Sequence, residues 1–257
     1  VDPLGLSAER GSGYRTSTIY VDEPTEAGYA MFDDVEYAIP PEDWYNSADE
    51  AAYAFGLQYS EVSYRVREIE YGATIYSKVA YEYNGYKYNI MGILDLYKKG
   101  EITSMSEFFK TTKKSRIYTF GSVRVGGEGH VTPSLMSKLG KIEAVVHTHG
   151  CVNGNSGYNQ FSGNYYPELG VYEGDLGYAG AIYEYGVKYV DAVVNNSIDR
   201  NTLSKDRGIE NFSVYLITGD GEIKKYTPAV HKYMSGYDRD ISSEIPHKEE
   251  LYKKYGR

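Results

Sequence analysis

Two histidines separated by one residue are the part of this chain best suited to chemistry. His147 and His149 follow a short apolar run, Ile142 to Val146, and precede a loop rich in glycine, asparagine, serine and tyrosine. Alternate residues of an extended strand point to the same side, so both imidazoles can reach one ion. Imidazole nitrogen binds zinc, copper, iron or nickel. The pair therefore predicts part of a metal site at a strand end.

A catalytic zinc site needs a third protein ligand and an open position for water. Because the histidines supply two ligands, an acidic side chain must supply the third. The candidates are Asp175, at the predicted start of a helix, and its neighbour Glu173. Glu70, which begins a predicted strand, and Ser162, in the loop after the histidines, have types suited to the same site. Each also has a structural alternative, such as a helix cap for Asp175.

The single cysteine, Cys151, lies two residues after His149. A thiol beside histidines can be a nucleophile or a metal ligand. No separate histidine–acid pair is evident in the sequence to activate it, so we expect a loop thiol without a catalytic role. One cysteine cannot form an internal disulfide, and the fold therefore does not depend on oxidising conditions.

The composition predicts a protein with a real core and no preference for nucleic acid. Hydrophobic residues make up 41% of the 257 residues, and the 30 tyrosines suit half-buried strand surfaces. The formal charge of −9 weighs against a phosphate-binding surface, because the best basic cluster, Lys110 to Arg116, is short. No uninterrupted apolar run is long enough to predict a transmembrane helix.

Local patterns predict an α+β fold in which helices pack against a sheet of several strands. A capping-box pattern starts a helix at Ser47, and a further helical stretch follows at Ser60 to Arg67. Turn signals at Asn84-Gly85 and Asp220-Gly221 predict two hairpins. The remaining predictions are a break in the first hairpin near residue 80, polar helix or loop over 92–115, strands over 117–125, 142–146 and 187–194, helices over 133–139, 175–185 and 247–254, and a loop over 150–172.

The order Glu70, His147-Thr148-His149, Ser162, Asp175 resembles the pattern of the JAB/MPN metalloprotease superfamily, the fold of deubiquitinating and related peptidases. The resemblance spans roughly residues 47–228 and implies a mixed sheet flanked by helices, in a layout like that of cytidine deaminases. The surrounding segments, from the alanine-rich helix to the helix of Asp175, also resemble uncharacterised domains at the ends of Rhs-type proteins.

The resemblance implies a role for each residue. His147, His149 and Asp175 would hold Zn²⁺, which lowers the pKa of a bound water. Glu70 would accept the proton of that water and pass it to the leaving amine. Ser162 would donate a hydrogen bond to the developing oxyanion.

The chain departs from the family pattern at two places. Gly150-Cys151 stands where the superfamily usually has proline after the second histidine. The serine and the aspartate of the pattern usually stand three residues apart, whereas a long tyrosine- and glycine-rich insertion separates Ser162 from Asp175. The second departure affects the assignment of the third ligand.

The N-terminal residues Asp2-Pro3-Leu4-Gly5-Leu6 resemble the end of an Rhs repeat core, at which the shell of the parent protein releases its passenger. By that resemblance the chain is cut between Leu6 and Ser7. Residues 1–46 would be the junction and leader, 47–228 the JAB-like domain, and 229–257 a polar tail. The implied protein is a toxin secreted as part of a larger Rhs protein, active on a protein substrate in the cytoplasm of a target cell and neutralised by a cognate immunity protein.

Two other interpretations use the same residues. The histidines could serve a nuclease or a deaminase, or the domain could be a non-catalytic binding module on a JAB-like scaffold. Each leaves the predicted fold unchanged and differs only in what Glu70 and the histidines do.

Overall fold

A computed structural model describes residues 19–21, 44–65, 70–121, 123–126, 131, 133, 135, 140–149, 159–187, 208–219, 221–231 and 237–256. Within these residues the chain is α+β, with a mixed sheet flanked by helices, as the sequence predicts. The strands are β1 (Ile19–Val21), β2 (Tyr71–Tyr83), β3 (Tyr86–Tyr88), β4 (Lys114–Phe120), β5 (Val123–Val125), β6 (Lys141–Thr148), β7 (Asn164–Tyr166), β8 (Val171–Glu173), β9 (Ser213–Ile217) and β10 (Ile223–Tyr226). The helices are α1 (Ala48–Arg65), α2 (Ile90–Lys98), α3 (Met105–Thr111), α4 (Gly174–Tyr185), α5 (Pro228–His231) and α6 (Lys248–Tyr255).

The main sheet is organised around the long strand β2. Among the described residues its order is β1-β5-β2-β6-β9-β10, and β3 and β4 also pair with β2. The β6–β9 pairing is parallel and the other pairings are antiparallel. Strands β2, β6 and β9 therefore lie side by side in the middle of the sheet, where both edges of β6 are hydrogen-bonded.

Each face of the sheet carries its own apolar cluster, because side chains alternate along a strand. Helices α1 and α6 cover one face, and α4 covers the other. The buried residues under α1 and α6 include Phe55, Ile75, Phe120, Val146 and Tyr215, and those under α4 include Tyr76, Val145, Phe161, Leu176 and Leu216. A third cluster joins α2 and α3 to the far end of β2.

Helix α1 begins where the capping pattern predicts. The Oγ of Ser47 accepts a hydrogen bond from the Glu50 N–H at 3.1 Å, and the Glu50 carboxylate accepts one from the Asn46 N–H at 2.7 Å. These contacts satisfy N–H groups that have no partner inside the helix. The predicted separate helical stretch at residues 60–67 is instead a continuation of α1, which ends at Arg65.

Both predicted hairpins are present. Asn84 and Gly85 have φ values of 50° and 83° between β2 and β3, and β9 pairs with β10. The predicted break near residue 80 is wrong: β2 runs without interruption because β4 pairs with it from Ile75 to Tyr81. The register between β2 and β6 shifts between Ile75 and Tyr76.

Three other predicted elements differ from the structure. The strand over 117–125 is two strands, β4 and β5, and the loop over 150–172 contains the short hairpin β7–β8. Of the helix predicted over 133–139, the described residues Pro133 and Leu135 are not helical, and the others lie outside the described residues. The strand predicted over 187–194 lies outside the described residues except for Val187.

The two ends of the chain also contribute to the sheet and the core. Strand β1, within the predicted leader, pairs with β5, whereas the predicted cleavage junction Leu6–Ser7 lies outside the described residues. In the predicted polar tail, Ile245 is buried in the cluster under α1 and α6. No helix in the described part of the chain is long and apolar enough to cross a membrane.

Candidate metal centre

The two histidines stand at the C-terminal end of β6, in the middle of the sheet. His147 is opposite Gly72 of β2 on one side and Leu216 of β9 on the other. The backbone N–H of His149 donates to the Ile217 carbonyl at 3.0 Å. His147 is 5% exposed and His149 8% exposed, so both rings are held in a largely dry environment.

The imidazole rings converge as the one-residue spacing predicts. The Nε2 atoms of His147 and His149 are 3.2 Å apart. Two nitrogen ligands of a tetrahedral zinc ion, each about 2.05 Å from it, are about 3.3 Å apart. The separation in this chain therefore fits two ligands of one ion.

Asp175 brings a carboxylate to the same point from the first turn of α4. Its Oδ1 is 3.4 Å from His147 Nε2, and its Oδ2 is 3.9 Å from His149 Nε2. One ligand atom from each of the three residues lies within 4.8 Å of the others, so this buried group could hold a metal ion. Two imidazoles and one carboxylate are a donor set that zinc accepts in catalytic sites.

Glu173, the alternative third ligand, is outside this group. It ends β8 as an exposed residue, paired with Asn164 of β7. Asp175 is two residues later, inside the helix, where its side chain turns toward the sheet. The described structure therefore supports Asp175 as the third ligand, whereas Cys151 and Gly150 lie outside the described residues.

Ser162 contacts the aspartate directly. Its backbone N–H and its hydroxyl each donate to Asp175 Oδ2 at 2.9 Å, and its Oγ accepts a hydrogen bond from the Asp175 N–H at 3.1 Å. These bonds engage Oδ2 and leave Oδ1 directed at His147. In the described structure the hydroxyl hydrogen of Ser162 thus orients the carboxylate; its predicted role toward an oxyanion would require it to exchange partners.

Glu70 lies beside the cluster. Its Oε1 is 4.0 Å from His149 Nε2, and the residue is 4% exposed. The following backbone N–H, that of Tyr71, donates to Thr148 Oγ1 at 3.0 Å, which ties the start of β2 to the strand of the histidines. Glu70 is therefore close enough to act on a water at the ion, but it is not part of the group of three residues whose ligand atoms all lie within 4.8 Å of one another.

The acidic and basic groups of the centre shift one another's pKa values. Burial raises the pKa of Glu70 to about 8, although His147 opposes the rise and Asp175 adds to it. Burial lowers the pKa of His147, but the carboxylates of Asp175 and Glu70 outweigh it and the pKa is raised overall. For Asp175 burial acts to raise the pKa, and the two histidines and the Ser162 N–H hold it well below its usual range. Without an ion, the two carboxylates thus favour the protonated form of His147, and the histidines favour the anionic form of Asp175.

Two residues that support the centre were not predicted from the sequence. Thr148 points away from the histidines and holds the start of β2. Lys224 of β10 is buried, and its Nζ donates to the Asn159 carbonyl at 2.5 Å, three residues before Ser162. Neither residue has a distinguishing signal in the sequence: the strand of Lys224 reads Ile-Lys-Lys-Tyr, and no local pattern marks which lysine is buried.

The arrangement can bind a cation through three ligands and place a carboxyl group beside a fourth position. Metal-assisted hydrolysis, in which a water on the ion is the nucleophile, is one reaction that such a set of groups can support. Comparisons with protein-family models, with curated proteins and with solved structures find no match to this chain. The case for a function therefore depends on the residues of the site.

Proposed function

We propose that this chain is a zinc-dependent hydrolase that cleaves peptide or isopeptide bonds, on a JAB/MPN-like scaffold. The observation that carries the proposal is the convergence of His147, His149 and Asp175, with Glu70 Oε1 4.0 Å from His149 Nε2. A purely structural histidine pair would not need two further buried carboxyl groups, because burying a carboxylate costs free energy unless it is paired.

The three ligands leave one position of a tetrahedral ion for water or substrate. When bound, zinc supplies Lewis acidity that lowers the pKa of such a water toward neutrality. Glu70 is the candidate general base, since its Oε1 is 4.0 Å from His149 Nε2 and it is not one of the three ligands. A cation nearby favours the carboxylate form, which counteracts the effect of burial on the pKa of Glu70.

The remaining residues orient the reacting groups. Asp175 is held by the Ser162 N–H and hydroxyl, so its ligand oxygen keeps a defined direction. Glu70, once protonated, is the group that returns a proton to the leaving amine. The Ser162 hydroxyl, 2.9 Å from Asp175 Oδ2, is the nearest candidate donor to an oxyanion, and it would have to give up that bond to serve.

The proposed biological setting is that of a toxin released from an Rhs-type protein. The N-terminal Asp2-Pro3-Leu4-Gly5-Leu6 supports release between Leu6 and Ser7. A chain with one cysteine can refold in a reducing cytoplasm without any disulfide. In this setting the partners are the shell of the parent protein, a protein substrate in the target cell and an immunity protein in the producing cell.

Metal content and toxicity test the two halves of the proposal. Purified protein should contain about one zinc ion per chain, and the double variant His147→Ala/His149→Ala should contain none. Expression in a bacterial cytoplasm should arrest growth for the wild type and not for the double variant. Growth arrest by a variant that has lost its metal would refute a metal-dependent toxin.

Proteomics identifies the bond that is cleaved. New N-termini or lost isopeptide linkages should appear in cells that express the wild type and be absent with Glu70→Gln. Degraded nucleic acid with an intact proteome would instead assign the same site to a nuclease.

A further inference from the structure

The insertion between Ser162 and Asp175 leaves the metal centre and returns to it. The two residues are 13 positions apart in the chain and in direct contact. Between them β7 and β8 form an antiparallel hairpin, in which Asn164 pairs with Glu173, and a 3-10 turn at Pro167–Leu169 closes its far end. We call residues 164–173 the arm, and Gly163 with Gly174 its base.

The base is built from two glycines in contact with the opposite chain. Gly163 and Gly174 have φ values of 79° and 58°, a region that residues with a side chain rarely adopt. A Cβ atom on Gly163 would lie 1.8 Å from the Glu173 carbonyl oxygen. A Cβ on Gly174 would lie 2.6 Å from Ser162 Oγ. Neither position has room for any side chain.

The close approach at the base has a direct consequence for the third ligand. With the chains this near, the Ser162 N–H and Oγ reach Asp175 Oδ2, and the Leu176 N–H donates to the Ser162 carbonyl at 3.2 Å. The first three residues of α4, Gly174, Asp175 and Leu176, thus all lie against Ser162. A wider base would separate these groups and release the Asp175 carboxylate.

The arm beyond the base has its own attachment to α4. The hydroxyl groups of Tyr165 and Tyr172 donate to the two oxygens of Glu184, at 2.5 Å and 2.8 Å. Tyr165 is also part of the apolar cluster under α4. The arm is therefore held on α4 at Glu184, in the last turns of the helix, whereas Asp175 is in its first turn.

We infer that Gly163 and Gly174 are positioning residues for the metal centre: their contact sets the orientation of Asp175, and the outer part of the arm does not contribute to metal binding. This inference rests on the proposed function only in that the three ligands bind an ion. The tyrosine- and glycine-rich insertion thus has two parts: metal binding requires the base and does not require the arm.

Cobalt binding tests the inference, because Co²⁺ takes zinc sites and its visible absorption reports the ligand geometry. Purified wild type, Gly163→Ala, Gly174→Ala and Gly170→Ala would be titrated with Co²⁺, with folding checked by far-UV circular dichroism. We expect each base variant to bind at least ten-fold more weakly, with an altered visible spectrum. Gly170→Ala is the matched control, because Gly170 has a similar φ of 65° but open space where its Cβ would lie; its affinity should stay within two-fold.

A second variant tests the arm with both glycines intact. Replacing Tyr166 to Val171 by Asn-Gly keeps Tyr165 and Tyr172 and closes the hairpin with a two-residue turn. We expect wild-type Co²⁺ affinity and spectrum. This variant tests whether metal binding needs the outer arm, and it does so even if a base variant does not fold. Wild-type binding by a folded Gly163→Ala, or loss of binding in the shortened arm, would overturn the inference. Absence of Co²⁺ binding by the wild type would instead overturn the proposed metal centre.

Discussion

At the scale of single residues, the centre combines two imidazoles and two carboxyl groups in a space from which water is largely excluded. Coulombic interactions are strong there because the local dielectric response is weak. Asp175 is stabilised as an anion by the histidines, whereas for Glu70, 4% exposed, the effect of burial on the pKa outweighs the attraction of His147. The two acids are therefore suited to different tasks, one as ligand and one as proton acceptor.

Replacement of Glu70 by glutamine should separate catalysis from metal binding. Because burial raises the pKa of Glu70 to about 8, the metal-free protein carries a neutral carboxyl at pH 7, and glutamine is a neutral substitute of similar shape. We expect the melting temperature and zinc content to be unchanged and the hydrolytic rate to fall by about 10²-fold or more. The exposed neighbour variant Glu173→Gln is the control and should keep full activity; equal activity in both variants would exclude Glu70 as the base.

The affinity for zinc should rise with pH through the neutral range. A protonated imidazole cannot bind a metal, and the pKa of His147 is raised above 6.5 in the metal-free protein, so zinc must displace a proton there. Affinity should increase at least ten-fold per pH unit below that pKa, because zinc displaces the proton of His147 and also favours loss of the proton that Glu70 carries at neutral pH, and it should level off only above about pH 8. Competition titrations with a chelator at several pH values measure this slope. His231→Ala, outside the centre, should retain it, and a flat profile would contradict a protonated His147.

At the scale of elements, β6 positions the centre because both of its edges are paired. Its register with β2 and β9 fixes the height of His147 in the sheet. Thr148, between the two histidines, points to the other face and accepts the Tyr71 N–H. Strand β6 thus carries the two histidines on one face of the sheet. On the other face, its Thr148 side chain is hydrogen-bonded to the start of β2, next to Glu70.

The variant Thr148→Val should disturb Glu70 more than the histidines. Valine keeps the shape but removes the acceptor for the buried Tyr71 N–H, which should lower the free energy of unfolding by about 1–3 kcal/mol. The His149 N–H still donates to Ile217, so zinc content should persist while activity falls. Thr119→Val is the control, because Thr119 is equally buried and its hydroxyl donates a long hydrogen bond, 3.4 Å, to the Phe120 carbonyl. Denaturant unfolding and zinc analysis of both variants measure the difference.

At the scale of the whole molecule, the residues after β10 continue the fold. The Ile241 N–H donates to the Ile223 carbonyl at 2.8 Å, and α6 packs beside α1 over the buried Ile245. Asp240 joins this segment to the sheet: its Oδ1 accepts hydrogen bonds from the Ile223 N–H at 3.1 Å and the Ser242 N–H at 2.8 Å. The face of the sheet opposite the metal centre is therefore closed by the C-terminal segment.

Removal of the Asp240 carboxylate should loosen this closure. We expect Asp240→Ala to lower the free energy of unfolding by about 1–2 kcal/mol, with zinc content unchanged, because two N–H groups lose their acceptor. Burial acts to raise the pKa of Asp240, but the bonds from Ser242 and Ile223 lower it below 3.8 overall. Its contribution is thus present above pH 3.8 and disappears as the pH falls through the lower, folded-state pKa.

Urea unfolding at neutral and at acidic pH measures this effect. The exposed neighbour variant Asp238→Ala should have almost no effect at either pH. An Asp240→Ala protein as stable as the wild type at neutral pH would show that the C-terminal segment is held by its apolar contacts alone.

Local sequence patterns were sufficient to predict those parts of the structure that depend on residues close together in the chain. The start of α1 at Ser47, the turn at Asn84-Gly85 and the placement of two imidazoles on one side of a strand follow from local caps, backbone preferences and strand geometry. The α+β class follows from the same local patterns, because each element carries its own periodicity.

The contacts between residues far apart in the chain could be identified from the three-dimensional fold and not from the sequence. The contact of Ser162 with Asp175 across the arm, the hold of Thr148 on β2 and the burial of Ile245 join residues far apart in the chain. No local pattern encodes these contacts, because they depend on which strands pair and on how closely two backbones can approach. The third ligand was therefore ambiguous in the sequence, and it is the packing of α4 against the sheet that brings Asp175, rather than Glu173, beside the two histidines.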